Sequence, residues 1–129
     1  MKREEIRVAR LAEPISHYTD AVRAGELLFV SGVVPVDGEG NLVGGDDVVA
    51  QARHVFESMA MVLEAAGCTF ADVVKVAIFL TDVDDRPLVN PVRQEVFGST
   101  RPASTLVEVP RLAVEGAKIE VECVALMPS

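Results

Sequence analysis

The sequence predicts an α+β fold in which two helices pack on one face of a mixed β-sheet, and three features carry that expectation. Short β-branched segments precede one long amphipathic run around Val48 to Ala66. An almost wholly apolar segment, Asp72 to Leu80, follows it. The chain then closes on two alternating segments, Arg101 to Pro110 and Lys118 to Met127. In order the elements read strand, strand, strand, helix, strand, helix, strand, strand. No repeat or break in composition divides residues 1–129, so the chain reads as a single domain, long enough to bury a full core without staples.

The first strand is expected at Ile6 to Leu11, ending before Pro14. Tyr18 to Ala24 and Leu27 to Val34 flank Gly25-Glu26, the pattern of an antiparallel hairpin with a tight turn. Ser31-Gly32 interrupts the second of these, and a glycine inside a strand marks a bulge or a close approach to the backbone. Beyond Pro35 the chain is turn-rich, with Leu42 and Val43 pairing briefly. Asp46 or Asp47 caps the long helix, whose apolar residues recur at three- and four-residue steps until Gly67 closes it. His54 falls on its polar side and is expected to face solvent, while Met59 and Met61 read as packing residues.

Asp72 to Leu80 has the apolar character of a strand covered on both faces. Asp82 to Asp85 offers caps for a second helix over Asp84 to Phe97, with Pro87 tolerable in its first turn and Pro91 pointing to an irregular or late start. Asn90 is then either an N-cap or a cleft residue, and local rules favour the cap. In the last strand the period of two places Glu120 and Glu122 on one face with Val124 and Leu126, and Ile119, Val121, Cys123 and Ala125 on the other. Two carboxylates among apolar neighbours form either a solvated sheet edge or a working acid. Composition alone favours the edge.

Half the residues are hydrophobic and a quarter charged, which excludes disorder. The net charge is −8 and the basic residues are scattered singly, so general nucleic-acid binding is disfavoured. The longest clear apolar run, Val73 to Leu80, contains Lys75 and is too short to span a membrane, and Met1 to Glu5 leads into no apolar stretch; a cytoplasmic location is the expectation. Cys68, Cys123, His17 and His54 show no metal-ligand spacing, so free thiols, no metal and no other cofactor are expected.

Four pieces taken together resemble the RidA/YjgF family of small imine and enamine deaminases. They are Leu28 to Pro35; Ala65-Ala66-Gly67 running into Asp72 to Val76 and Phe79 to Asp82; Pro102-Ala103 with Val107-Glu108-Val109; and Ile119 to Glu122 with Val124-Ala125. The likeness covers about Ile15 to Met127. It implies a chorismate-mutase-like sheet and a homotrimer with small-molecule clefts between neighbouring subunits, which suits a sheet whose far face also carries apolar residues. By resemblance, Glu120 orients or activates the water that hydrolyses a 2-imino acid to its 2-keto acid and ammonia, and Tyr18, Ser31, Gly32 and Asn90 line the same cleft.

One position departs from the pattern. In the active deaminases an arginine follows the Pro-Ala pair and clamps the substrate carboxylate; here that position is Ser104. Arg101 is the candidate to compensate, but it sits three residues earlier in an extended segment and faces the other side unless Pro102 bends the chain. A surface or subunit-interface position is therefore expected for it, and Arg93 and Arg111 have no stronger claim. Three functions follow: a deaminase with altered substrate preference, using Glu120 with Tyr18, Asn90 and Ser104 shaping the pocket; a non-catalytic trimer that binds a small metabolite or a partner protein; and, weakest, an endoribonuclease, which the acidic charge and the absence of a His pair disfavour.

Overall fold

The amphipathic run becomes α1 (Val48–Ala65) in a computed structural model that describes residues 2–128. Asp47 caps it by accepting from the Val49 and Ala50 N–H groups, and Gly67 leaves the helix at φ +83°. Ala52, Val55, Phe56, Met59, Val62 and Leu63 point inward and are buried. Each large side chain among them contributes about 1.5–3 kcal/mol of burial free energy. Phe56 packs edge-on to Phe70 and Phe97, tying α1 to the second helix.

The strands are β1 (Arg3–Ile6), β2 (Ala21–Ala24), β3 (Leu27–Val33), β4 (Val73–Leu80), β5 (Ala103–Glu108) and β6 (Ile119–Leu126); the second helix is α2 (Arg86–Phe97). They form a six-stranded sheet in the order β1-β2-β3-β6-β4-β5. Only the β4–β5 pair is parallel, because α2 carries the chain back between them; every other pair is antiparallel. The last strand thus lies mid-sheet, and both helices cover one face. Among the described residues no helix is long and apolar enough to cross a membrane.

Several local expectations change. The first strand ends at Ile6 rather than beginning there, because the Val8 N–H donates to the Asp20 carboxylate instead of a ladder partner. Alpha2 begins at Arg86 after a short turn and runs through Pro91, so Asn90 is an exposed interior residue of the helix and caps nothing. His54 is not free in solvent: its Nε2 lies 2.6 Å from the Val36 carbonyl oxygen. Beta4 is covered on one face only in the single chain, with Val76, Ile78 and Leu80 buried while Val74 is exposed and Ala77 and Phe79 are partly exposed.

That second face of the sheet remains apolar. Leu27 pairs with Leu126 and Phe29 with Val124 across β3 and β6, and Phe29 and Leu126 are 46% and 47% exposed. On the covered side, Gln51 is fully buried and joins α1 to the entry of β6. Its amide donates to the Gly45 and Gly116 carbonyls at 2.7 and 3.0 Å and its oxygen accepts from the Lys118 N–H at 2.7 Å. A buried amide this well satisfied fixes where β6 begins, and with it the position of Glu120.

Candidate functional site

The candidate residues fall into two groups on opposite sides of the sheet. The first forms at a bulge in β3. Val30 pairs with Cys123 and Val33 with Val121, so the Ser31-Gly32 segment holds one residue more than the facing strand. Glu120 lies directly over this bulge. A Cβ on Gly32 would stand 2.2 Å from Glu120 Oε2 and 2.9 Å from its Cδ, so only glycine leaves room for the carboxylate there. Burial raises the Glu120 carboxyl above its ordinary pKa, and the nearby Glu122 charge adds to the shift.

Tyr18, Ser31 and Gly32 line one pocket with Leu11, Val33 and, from α1, Ser58 and Val62, so it opens on the helix side of the sheet; Glu120 is not among its lining residues and meets it only at Gly32. Tyr18 is 45% exposed at its mouth. The Ser31 hydroxyl donates to the Thr19 carbonyl at 2.6 Å and the Ser31 N–H to the Asp20 carbonyl at 3.0 Å, so this serine holds the loop that carries Tyr18. The loop is held again by Arg7, which reaches the Asp20 carboxylate at 2.8 Å and the Leu11 and Ala12 carbonyls at 2.9 and 3.0 Å. Nothing in the sequence pattern marks Arg7 and Asp20 as partners across so long a loop.

The second group sits at the β5 edge. Ser104 pairs with Val76, which pairs with Cys123, and this places it on the helix-covered side. Glu120 pairs with Phe79, which pairs with Val107, and belongs to the open side. Within one chain the sheet itself separates the two residues. Ser104 Oγ accepts a 2.9 Å hydrogen bond from Arg93 Nη2 on α2, one turn beyond Asn90. Arg93 is partly buried, burial lowers its pKa, and among the described residues no carboxylate lies within 4.0 Å of it. Arg101 is exposed and lies outside β5.

Arg93 is the residue that sequence reasoning passed over. The signal for it was the phase of α2: once the helix runs through Pro91, Asn90 and Arg93 share a face. Cysteine chemistry is disfavoured at both groups, because Cys68 and Cys123 are free, buried thiols and burial pushes Cys123 up to about 12. Among the described residues no cluster of His, Cys, Asp or Glu has the geometry to hold a metal ion.

Residues 9–127 match the family model described as Endoribonuclease L-PSP. The chain belongs to the RidA/YjgF/RutC family. Relatives in this family include the 3-aminoacrylate deaminase RutC of Acinetobacter baylyi, 38% identical over 112 residues that span 87% of this chain and 88% of that protein. The human 2-iminobutanoate/2-iminopropanoate deaminase is 34% identical over 125 residues, spanning 96% and 90%. Among solved structures, E. coli TdcF with bound serine superposes with a TM-score of 0.88 at 30% identity, covering 97% of this chain and 99% of its own. The two-helix, mixed-sheet architecture is that of this RidA-type family fold.

Proposed function

We propose that this protein is a RidA-like hydrolytic deaminase that converts reactive imines or enamines to carbonyl products and ammonia, in clefts between the subunits of a homotrimer. The observation that carries the reading is the Glu120 carboxylate, half-buried against Gly32, the glycine that also lines the pocket of Tyr18 and Ser31. Two relatives named as deaminases of an enamine and of imines support the reaction class. The assembly is supported by the apolar open face of the sheet and by the two residue groups on opposite sides of it. A ring of copies covers the first and brings one chain's Glu120 group against a neighbour's Ser104 group.

The chemistry asks little of the protein, because an imine carbon is already electrophilic. Water adds to the C=N carbon, its proton passes to Glu120, and the protonated nitrogen leaves as ammonia while the C=O bond forms. An enamine first takes a proton at carbon to become the imine. A carboxyl whose pKa is raised toward neutrality is suited to both accepting and returning that proton. With Ser104 where the arginine-bearing deaminases carry arginine, the substrate is held differently, and the preference among imines and enamines shifts with it.

Ammonia release from imines generated in place by an amino-acid oxidase tests the reading. Glu120→Gln is expected to lose turnover by about a hundred- to ten-thousandfold while the oligomer stays intact. Unchanged release would remove Glu120 from the mechanism. The second reading, a trimer that binds a small metabolite without turning it over, is favoured by Ser104 and is the outcome if the natural protein releases no ammonia from any imine. Endoribonuclease activity, suggested by the name of the family model, gains no support from a chain of net charge −8.

A further inference from the structure

Arg93 is a partly buried cation without a counter-charge, in a chain that carries 20 acidic residues. Three other arginines have found acids, Arg3 with Glu5, Arg7 with Asp20 and Arg53 with Glu95, while Arg10, Arg23, Arg86, Arg101 and Arg111, which have no salt bridge among the described residues, are exposed. Arg93 instead gives one N–H to the Ser104 hydroxyl and meets no carboxylate within 4.0 Å among the described residues. Losing water without gaining an acid is unfavourable for a guanidinium, and an incoming anion relieves that cost.

The geometry around it suits a carboxylate. The guanidinium keeps most of its fork of N–H donors unused, since its hydrogen bond to Ser104 engages Nη2 only. Ser104 Oγ accepts that bond, which leaves its own proton to donate. Fork and hydroxyl together present donors to both oxygens of one carboxylate. The surrounding net charge of −8 repels anions at long range, so an acid substrate requires such a local anchor.

We propose that Arg93, positioned by Ser104, anchors the substrate through a carboxylate, so that the cleft selects small imines or enamines bearing that group. The anchor lies on α2 rather than on β5, which shifts where the acid sits relative to the reacting carbon. The substrate identity rests on the deaminase reading above, whereas the binding of a carboxylate at Arg93 does not.

The test uses the full-length protein and two unreactive probes, 2-oxobutanoate and its neutral counterpart butanone, with binding measured by calorimetry. The natural protein is expected to bind the acid in preference to the ketone. Arg93→Gln weakens acid binding about ten- to a hundredfold and leaves butanone unchanged, and Ser104→Ala gives a smaller loss of about three- to tenfold. Should Arg93→Gln fail to fold, Arg93→Lys keeps the charge without the fork and is expected to lose an intermediate amount.

Acid binding that survives Arg93→Gln, equal loss for acid and ketone, or no acid preference in the natural protein each overturns the anchor. Ammonia release from the imine of 2-aminobutyrate, run alongside, separates the two claims. Arg93-dependent acid binding without ammonia release keeps the anchor and removes the deaminase reading. Ammonia release with Arg93-independent acid binding does the reverse.

Discussion

The Glu120 group and the Arg93 group are assembled by different physical means. Glu120 is placed by packing: a bulge, a glycine with no space for a Cβ, a buried Gln51 that fixes the start of β6, and a loop tied down by Arg7 and Asp20. Arg93 and Ser104 meet through one hydrogen bond between a long side chain on a helix and a short one on an edge strand. The backbone that carries Glu120, fixed by this packing, keeps its position through most changes elsewhere. A guanidinium on a flexible stem can be recruited or lost by a single substitution. Under the proposed function, the contrast separates the part that would handle water and protons from the part that would choose the substrate.

Gly32→Ala is the sharpest way to break the comparison. The new Cβ would occupy the space of Glu120 Oε2, so the carboxylate must swing away. A displacement of about 1 Å at a reacting group costs on the order of a hundredfold in rate, and kcat is expected to fall by about that factor. Acid binding at Arg93, read by calorimetry, should not change. An unaffected kcat would mean that Glu120 works from a position other than the one it holds over Gly32.

A smaller effect lies in the pH profile. In the proposed mechanism Glu120 is ionised when it accepts a proton from water, and burial followed by the Glu122 charge raises its pKa above the ordinary 4.5. Activity, followed as kcat/KM, is therefore expected to fall as the pH drops through a midpoint above that value. Glu122→Gln removes the second cause and should move the midpoint slightly down, whereas Arg93→Gln should leave it in place. The sign for stability is the opposite. A carboxyl that binds its proton more tightly when folded favours the fold at acid pH, and that contribution is lost as the pH rises through the raised pKa.

Much of the fold was legible because its signals are local. The Asp47 cap, the spacing from Val48 to Leu63 and Gly67 set α1, and the alternation from Ile119 to Leu126 assigned each β6 residue to its face. The strand order was not legible, since nothing near β6 in sequence says that it inserts between β3 and β4. Asn90 was misread because Pro91 looked like a helix start. Its missing N–H removes only the bond to the Pro87 carbonyl, a small loss in a helix whose Val89, Val92 and Phe97 are buried. At the candidate site, Gly32 carried its own signal, a glycine inside a strand. The Arg93–Ser104 contact depends on how α2 and β5 pack, and only the tertiary structure brings those residues together.

The placement of Glu120 and Ser104 on opposite faces has a genetic meaning. In the proposed ring each copy lends Glu120 to one cleft and Arg93 to another, so no cleft belongs to a single polypeptide. Two alleles that each abolish function alone, one changed at Glu120 and one at Arg93, can then complement when co-expressed, because a mixed ring contains a cleft formed from the two intact halves. The same sharing makes a defective subunit partly dominant, since it spoils a cleft whose other half is sound.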